Sequence, residues 1–183
     1  MVLPWALKNG VVDFNATTLC YFGSNWYYVK GGQVNYSNTL CNWNGKWWHV
    51  KDGKVVYDTT LVYFANKWYY VKSGVLNYSN TLCNWNGKWW HVKDGNVVYD
   101  TTLVYFANKW YYVKSGVLNY SNTLCNWNGK WYHVKNGTVV YDTTLVYFGS
   151  NWYCVRNGVV DFNYSGKVLF AGTYYTVKNG VKV

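Results

Sequence analysis

Apolar and polar residues alternate along this chain in two short runs separated by a two-residue gap, and the pattern returns every 21 residues. Each unit is counted here from its leucine (Leu19, Leu40, Leu61 and onward). Places 1–4 and 8–12 then hold mostly aromatic and β-branched residues, as in LCNW and WWHVK of the unit that begins at Leu40. Between the runs stands Asn44-Gly45, and likewise Asn86-Gly87 and Asn128-Gly129. Asn-Gly tolerates the positive φ that both centres of a type I′ turn require, so each unit predicts a β-hairpin. The intervening units have Ala-Asn or Gly-Ser at the same places, a weaker signal for the same turn.

A two-residue turn at places 5 and 6 sets place 4 opposite 7, 3 opposite 8, 2 opposite 9 and 1 opposite 10. Opposed residues share a side of the sheet. Places 2, 4, 9 and 11 therefore form the expected core: Cys or Val, Trp or Phe, Tyr or Trp, and valine. Places 1, 3, 8, 10 and 12 form the other side, an aromatic face with polar tips, which is either exposed or used by the units to pack on each other. The rest of each unit, such as SGVLNYSNT, reads as a connecting loop with a short extended piece, and Asp-Thr-Thr reads as a turn-capping corner. No segment has helical periodicity. One hairpin alone is marginal in water, so the predicted fold class is all-β, a solenoid of stacked hairpins sharing the Val/Trp side.

Self-similarity goes further. Residues 40–81 and 82–123 differ only in Lys54 against Asn96, so the full period is 42 residues, made of two flavours of unit. Gly32, Gly53, Gly74, Gly95, Gly116, Gly137 and Gly158 recur every 21 residues, each six residues after a tryptophan. The array is read as one domain over 1–183. A part-unit spans 1–18, full units span 19–39, 40–60, 61–81, 82–102, 103–123, 124–144 and 145–165, and a capping unit spans 166–183. The chain opens in mid-unit, so Met1 is expected to begin a fragment of a longer protein. No run is apolar enough to insert in a membrane.

Composition adds charge. Seventeen basic residues stand against seven acidic, a formal charge of +10, and 22% of residues are aromatic. The charge is ordered: place 12 carries Lys30, Lys51, Lys72, Lys93, Lys114, Lys135 and Arg156, and place 7 adds Lys46, Lys67, Lys88, Lys109 and Lys130. Such rows suit an anionic polymer; equally, a soluble repeat copies whatever charge keeps it in solution. Cys20, Cys41, Cys83 and Cys125 share place 2 with Val62, Val104 and Val146, which reads as a small buried hydrophobe. A bridge between Cys20 and Cys41 is the alternative. Nothing has the clustered ligands of a metal site, and no cofactor is expected.

NGKWWHVKDGKV and NKWYYVKSGV resemble the choline-binding and glucan-binding repeats of Gram-positive surface proteins, whose units run GW…NGxWYYL. The resemblance covers seven full units. It implies a secreted attachment module that meets a cell-wall polymer or other glycan at the bacterial surface. In choline-binding members the cage combines the GW tryptophan, the WYY tryptophan and an aromatic from the next hairpin. The GW position is leucine in every full unit here. The ligand-binding residues implied are Trp47, Trp68, Trp89, Trp110 and Trp131. With them go His49, Tyr70, His91, Tyr112 and His133 at place 10, and Lys51, Lys72, Lys93 and Lys114.

Other classes compete. All three histidines occupy place 10, and Asp58, Asp100 and Asp142 all occupy place 19. Groups copied around a stack do not make the asymmetric constellation that catalysis needs, so the module reads as non-enzymatic. Basic rows interleaved with aromatics can bind single-stranded nucleic acid, but no nucleic-acid motif is present. An adhesin for a host protein or host glycan, or a structural spacer, remain the alternatives.

Overall fold

The computed structural model describes residues 5–183; Met1 and Pro4, the latter at the tryptophan place of the first unit, lie outside them. All regular structure among the described residues is β-strand. Among the described residues no helix is long and apolar enough to cross a membrane. The chain forms two compact units. The first comprises the described residues up to Gly87 with Val92–Val97, and the second comprises Lys88–His91 with Val98–Val183.

Within the first unit the hairpin has the predicted register. Strand Thr39–Trp43 runs antiparallel to Lys46–Lys51, with Trp43 opposite Lys46, Asn42 opposite Trp47, Cys41 opposite Trp48 and Leu40 opposite His49. Asn44 and Gly45 both hold positive φ, 50° and 71°, which is the type I′ geometry that Asn-Gly favours. Ala65-Asn66 takes the same conformation at 47° and 64°, so the weaker signal gives the same turn. The second unit repeats the register, with Trp127 opposite Lys130 and Leu124 opposite His133.

The stretch predicted as a loop contains the seam between hairpins. After a second tight turn at Asp52-Gly53, the two-residue strand Lys54–Val55 pairs back on its own hairpin, Val50 opposite Val55. It also pairs with the preceding hairpin, Tyr27 opposite Lys54. The recurring glycine follows from this seam. Gly74 has φ +78°, and a Cβ there would lie 2.3 Å from the carbonyl oxygen of Val56. Its carbonyl accepts from the His49 N–H at 2.8 Å and its N–H donates to the Asp58 carbonyl at 2.8 Å. Side chains at place 20 cap the next hairpin: Thr59 Oγ1 accepts from the Ser73 N–H, and Asn38 Oδ1 from the Asp52 N–H.

Stacking differs from the expectation in one respect. Within each compact unit successive hairpins pack front to back, so both sides of a hairpin between two others are covered near its base. Leu19 and Tyr28 of one hairpin join Cys41, Val50 and Val55 of the next in a single cluster, and Leu40 joins Val62 and Val71. The second unit shows the same with Leu103 and Tyr112 against Cys125 and Val134. Place 11 is the deepest: Val50, Val71, Val113 and Val134 are fully buried. Places 1 and 10, on the aromatic face, are also core, so that face is used for packing between units. The side of a hairpin that faces away from its own valine lies against the valine side of its neighbour.

Two interface chemistries alternate. Where tyrosine stands at place 10, the next hairpin offers Cys, Trp and an aromatic; where histidine stands there, it offers Val, Phe and Tyr. Cys41, Cys83, Cys125 and Cys154 are buried and all five thiols are free, so no bridge joins Cys20 to Cys41. Burial pushes the Cys41, Cys83 and Cys125 thiols up to about 11. It raises the Tyr28, Tyr70 and Tyr112 phenols as well, with the adjoining cysteine adding to the effect.

Candidate aromatic binding site

The tryptophans at place 8 remain half-exposed because they sit nearer the hairpin tip, beyond the fully covered base. Each meets the place-4 ring of the following hairpin. Trp26 and Trp43 are 4.5 Å apart between ring centroids and inclined by 52°. Trp43 continues edge-on to Trp48 at 6.5 Å, and Trp48 to Tyr57 at 6.4 Å. The Trp48 Nε1–H donates to the Trp43 carbonyl at 3.3 Å, which fixes the ring. The arc closes on a crevice of ≈ 50 Å³ lined by Trp26, Trp43, Trp48 and Tyr57, with Leu19 and Val55 as its floor.

In the second unit Tyr105, Trp110, Trp127 and Tyr132 follow one another at 5.3, 4.6 and 6.0 Å. The alternate interfaces are built with smaller rings, Trp47 against Phe64 at 5.4 Å and Phe64 against Tyr69 at 6.1 Å.

A broader groove of ≈ 460 Å³ lies beside the Trp68–Trp85 pair and includes His49, Lys51, Asp58 and Tyr63 in its lining. Here His49 Nδ1 and Asp58 Oδ1 are 2.7 Å apart; His49 is buried while the Asp58 side chain keeps 45% of its exposure. An ionised carboxylate only accepts, so Nδ1–H is the donor. The pair recurs as His91–Asp100 at 2.7 Å and His133–Asp142 at 2.8 Å. In units with tyrosine at place 10, place 19 is serine (Ser37, Ser79, Ser121). In the second unit, a groove of ≈ 410 Å³ runs past Lys130, Trp131 and Phe162, where Arg156 bonds Asp161 at 3.1 Å.

The residues expected to bind ligand therefore separate into three sets. Trp47, Trp68, Trp89, Trp110 and Trp131 line the interfaces between hairpins. Lys51, Lys72, Lys93 and Lys114 are exposed, and Lys51 edges the broad groove. His49, His91, His133, Tyr70 and Tyr112 retain only 6–8% of their exposure. They act from beneath the surface, in packing or by holding a carboxylate. Three contributors lay outside the expected set: the place-4 ring, assigned wholly to the core; the place-9 ring; and the tyrosine at place 18, assigned to a loop. The aspartate at place 19, expected to cap a turn, bonds histidine instead, and the neighbouring threonine does the capping. Among the described residues no group of His, Cys, Asp and Glu side chains is arranged to hold a metal ion.

Fold and site together define a non-helical repeat module whose half-exposed aromatic rings line the joins between hairpins. Four stretches, 15–35, 57–77, 99–119 and 141–161, match the model of the choline-binding repeat. All four lie 42 residues apart and centre on the units whose hairpins begin LCYF or LVYF. No curated protein matches the chain. Among solved structures, CbpJ from Streptococcus pneumoniae TIGR4 aligns at 24% identity with a TM-score of 0.41, over 92% of this chain and 58% of that one. Choline binding protein F from Streptococcus pneumoniae aligns at 22% identity and 0.41, over 92% and 57%. The modular autolysin LytC from the same organism aligns at 16% and 0.35, over 91% and 48%. The chain thus spans a little over half the length of the first two.

Proposed function

We propose that this chain is a non-catalytic module that attaches a secreted protein to the surface of a Gram-positive bacterium. It does so by gripping quaternary ammonium groups of a wall polymer in the crevices between hairpins. The observation that carries this reading is the ≈ 50 Å³ crevice walled by Trp26, Trp43, Trp48 and Tyr57. On the same measure a water needs about 10–15 Å³, so the crevice takes a group of a few heavy atoms and no sugar ring. A methylated ammonium has that size, and its charge is attracted to ring faces. The four stretches that match the choline-binding repeat support the same ligand. Leu19, at the place of the missing GW tryptophan, forms floor, and the place-4 and place-18 rings complete the wall.

Each cation–π contact contributes about 0.5–2 kcal/mol, which leaves a single crevice near millimolar affinity. Attachment then depends on the seven full units, 19–39 to 145–165, acting together on a repetitive polymer. The exposed lysine rows assist if that polymer carries phosphate.

The test is retention of the purified chain on Gram-positive cell walls, with choline, neutral sugars and salt as separate competitors. Release by millimolar choline is expected. Retention that choline leaves untouched sinks the reading. A second reading, adhesion to a host protein, is favoured by the exposed tyrosine row Tyr36, Tyr57, Tyr78, Tyr99, Tyr120 and Tyr141. It predicts capture of a soluble protein, indifferent to choline.

A further inference from the structure

We propose that Lys182 is a built-in ligand: its ammonium fills the last join between hairpins and keeps that join closed to a wall-borne ammonium. Its role as a plug rests on the reading of the joins as ammonium sites, and it limits the grip to joins further in.

The rings of this join are laid out as in the others of the second unit. Trp152 meets Phe170 of the following hairpin at 5.1 Å and 58°, and Phe170 meets Tyr175 at 6.3 Å and 59°. Trp131 meets Phe148 at 5.2 Å and 55°, and Phe106 meets Tyr111 at 6.2 Å and 59°. The frame of rings is therefore the same. What distinguishes this join is the residue set against it.

That residue stands at place 16, in the short seam strand, opposite the deepest valine of its own hairpin. Val139 opposes Val134 there, and Val160 opposes Val155. Val160 belongs to the cluster on which Trp131, Phe148 and Tyr153 pack. Valine or leucine holds the place in the hairpins before it, Leu76 and Leu118 included. In the hairpin of Gly166–Phe170 and Thr173–Lys178, the residue opposite Val177 is Lys182.

The exchange puts a charge where the others have a methyl. Lys182 Nζ lies 4.0 Å from the Tyr175 ring centroid and 5.8 Å from that of Trp152. Both are within the roughly 6 Å over which a ring face attracts a cation. Among the described residues Lys54 and Arg156 each lie over one ring, Tyr27 and Tyr164, and Lys182 over two. Packing alone does not call for the charge, since Leu76 and Leu118 serve at joins with the same Phe and Tyr rings.

A tethered group competes at an effective concentration of order millimolar even on a flexible linker, and a lysine stem is shorter than any linker. A single join binds its ligand at about the same concentration. A second cation beside the first is also repelled. The internal ammonium therefore holds its place against an external one.

The experiment follows the indole N–H signals of the full chain by NMR during a choline titration, in the wild type and in Lys182→Leu. In the wild type the Trp152 signal is expected to stay still at choline concentrations that move those of Trp26 and Trp110. In Lys182→Leu it should move with them, its apparent affinity tighter by roughly fivefold or more. Should that variant melt early, Lys182→Met keeps an unbranched stem without the charge and carries the same expectation. Lys178→Gln, which removes an exposed charge four residues away, should leave Trp152 as in the wild type. A wild-type Trp152 signal that moves as readily as the others overturns the proposal. So does an unchanged response in the variant that folds, or an equal gain in Lys178→Gln. If choline moves no indole signal at all, the attachment reading fails by itself, and the ε-methylene signal of Lys182 decides the plug. Upfield of the other lysines, it supports an ammonium held on Tyr175 and Trp152; at an ordinary position, it overturns it.

Discussion

Trp26 and Trp43, from successive hairpins, touch at 4.5 Å between centroids, and neither hairpin alone builds the crevice that they border. The binding unit is thus a join between repeats, and its properties depend on residues 17 positions apart in sequence.

Trp43→Ala removes one wall of that crevice. A ring contributes about 0.5–2 kcal/mol to holding a cation, so choline affinity at this join should fall roughly 2- to 30-fold. The other joins are untouched. Calorimetric titration should therefore show one weakened site with the affinity of the others unchanged.

Gly74→Ala places a methyl 2.3 Å from the Val56 carbonyl oxygen at φ +78°. It should cost more than Gly45→Ala, where φ is 71° and nothing lies within 4 Å. The turn glycine should lose only the left-handed penalty of about 1–2 kcal/mol, and the seam glycine that plus a backbone clash. Urea denaturation of the two variants measures the difference.

Asp58→Ala leaves the buried His49 ring nitrogen without its acceptor. An orphaned buried donor costs about 1–3 kcal/mol. Replacing both residues by the Tyr-Ser pair of the alternate units should recover part of that loss. A double-mutant cycle on urea midpoints tests the coupling.

Stability should fall as the solution turns alkaline. Burial raises the Cys41, Cys83 and Cys125 thiols from 9.0 to about 11, so between those values the unfolded chain has lost protons that the folded chain keeps. The contribution is whole below pH 9 and is lost as pH rises towards 11. Exchanging the three cysteines for valine, already present at that place in other units, should flatten this part of the pH–stability curve. Alkylation at pH 8 should be slow in buffer and fast in urea.

Much of this was legible in the sequence because a hairpin is a local object. Asn44-Gly45 sets the turn, the turn sets the register, and the register puts Val50 beneath the sheet. The exchange of Cys41 for Val62 at one place marked both as small and apolar. What the sequence hid depends on neighbours. The sequence left the face of Leu40 and His49 undecided because one hairpin has an inside and an outside, whereas a hairpin in a front-to-back stack has two insides. Tyr57 looked like loop because its role follows from the seam strand Lys54–Val55, whose partners lie partly in another unit. The His49–Asp58 bond had a trace in the sequence, since aspartate accompanies histidine and serine accompanies tyrosine, but a nine-residue separation does not reveal contact without the fold.

The alternation of interfaces also governs how such an array can change length. A join of tyrosine with Cys and Trp is followed by one of histidine with Val and Phe. Gain or loss of one 21-residue unit would set mismatched surfaces together somewhere along the chain. Gain or loss of 42 residues leaves every join as it was. Residues 40–81 and 82–123, alike but for one position, look like the product of such a step: the gene can lengthen its reach by copying pairs, and shape complementarity at the joins screens out odd numbers.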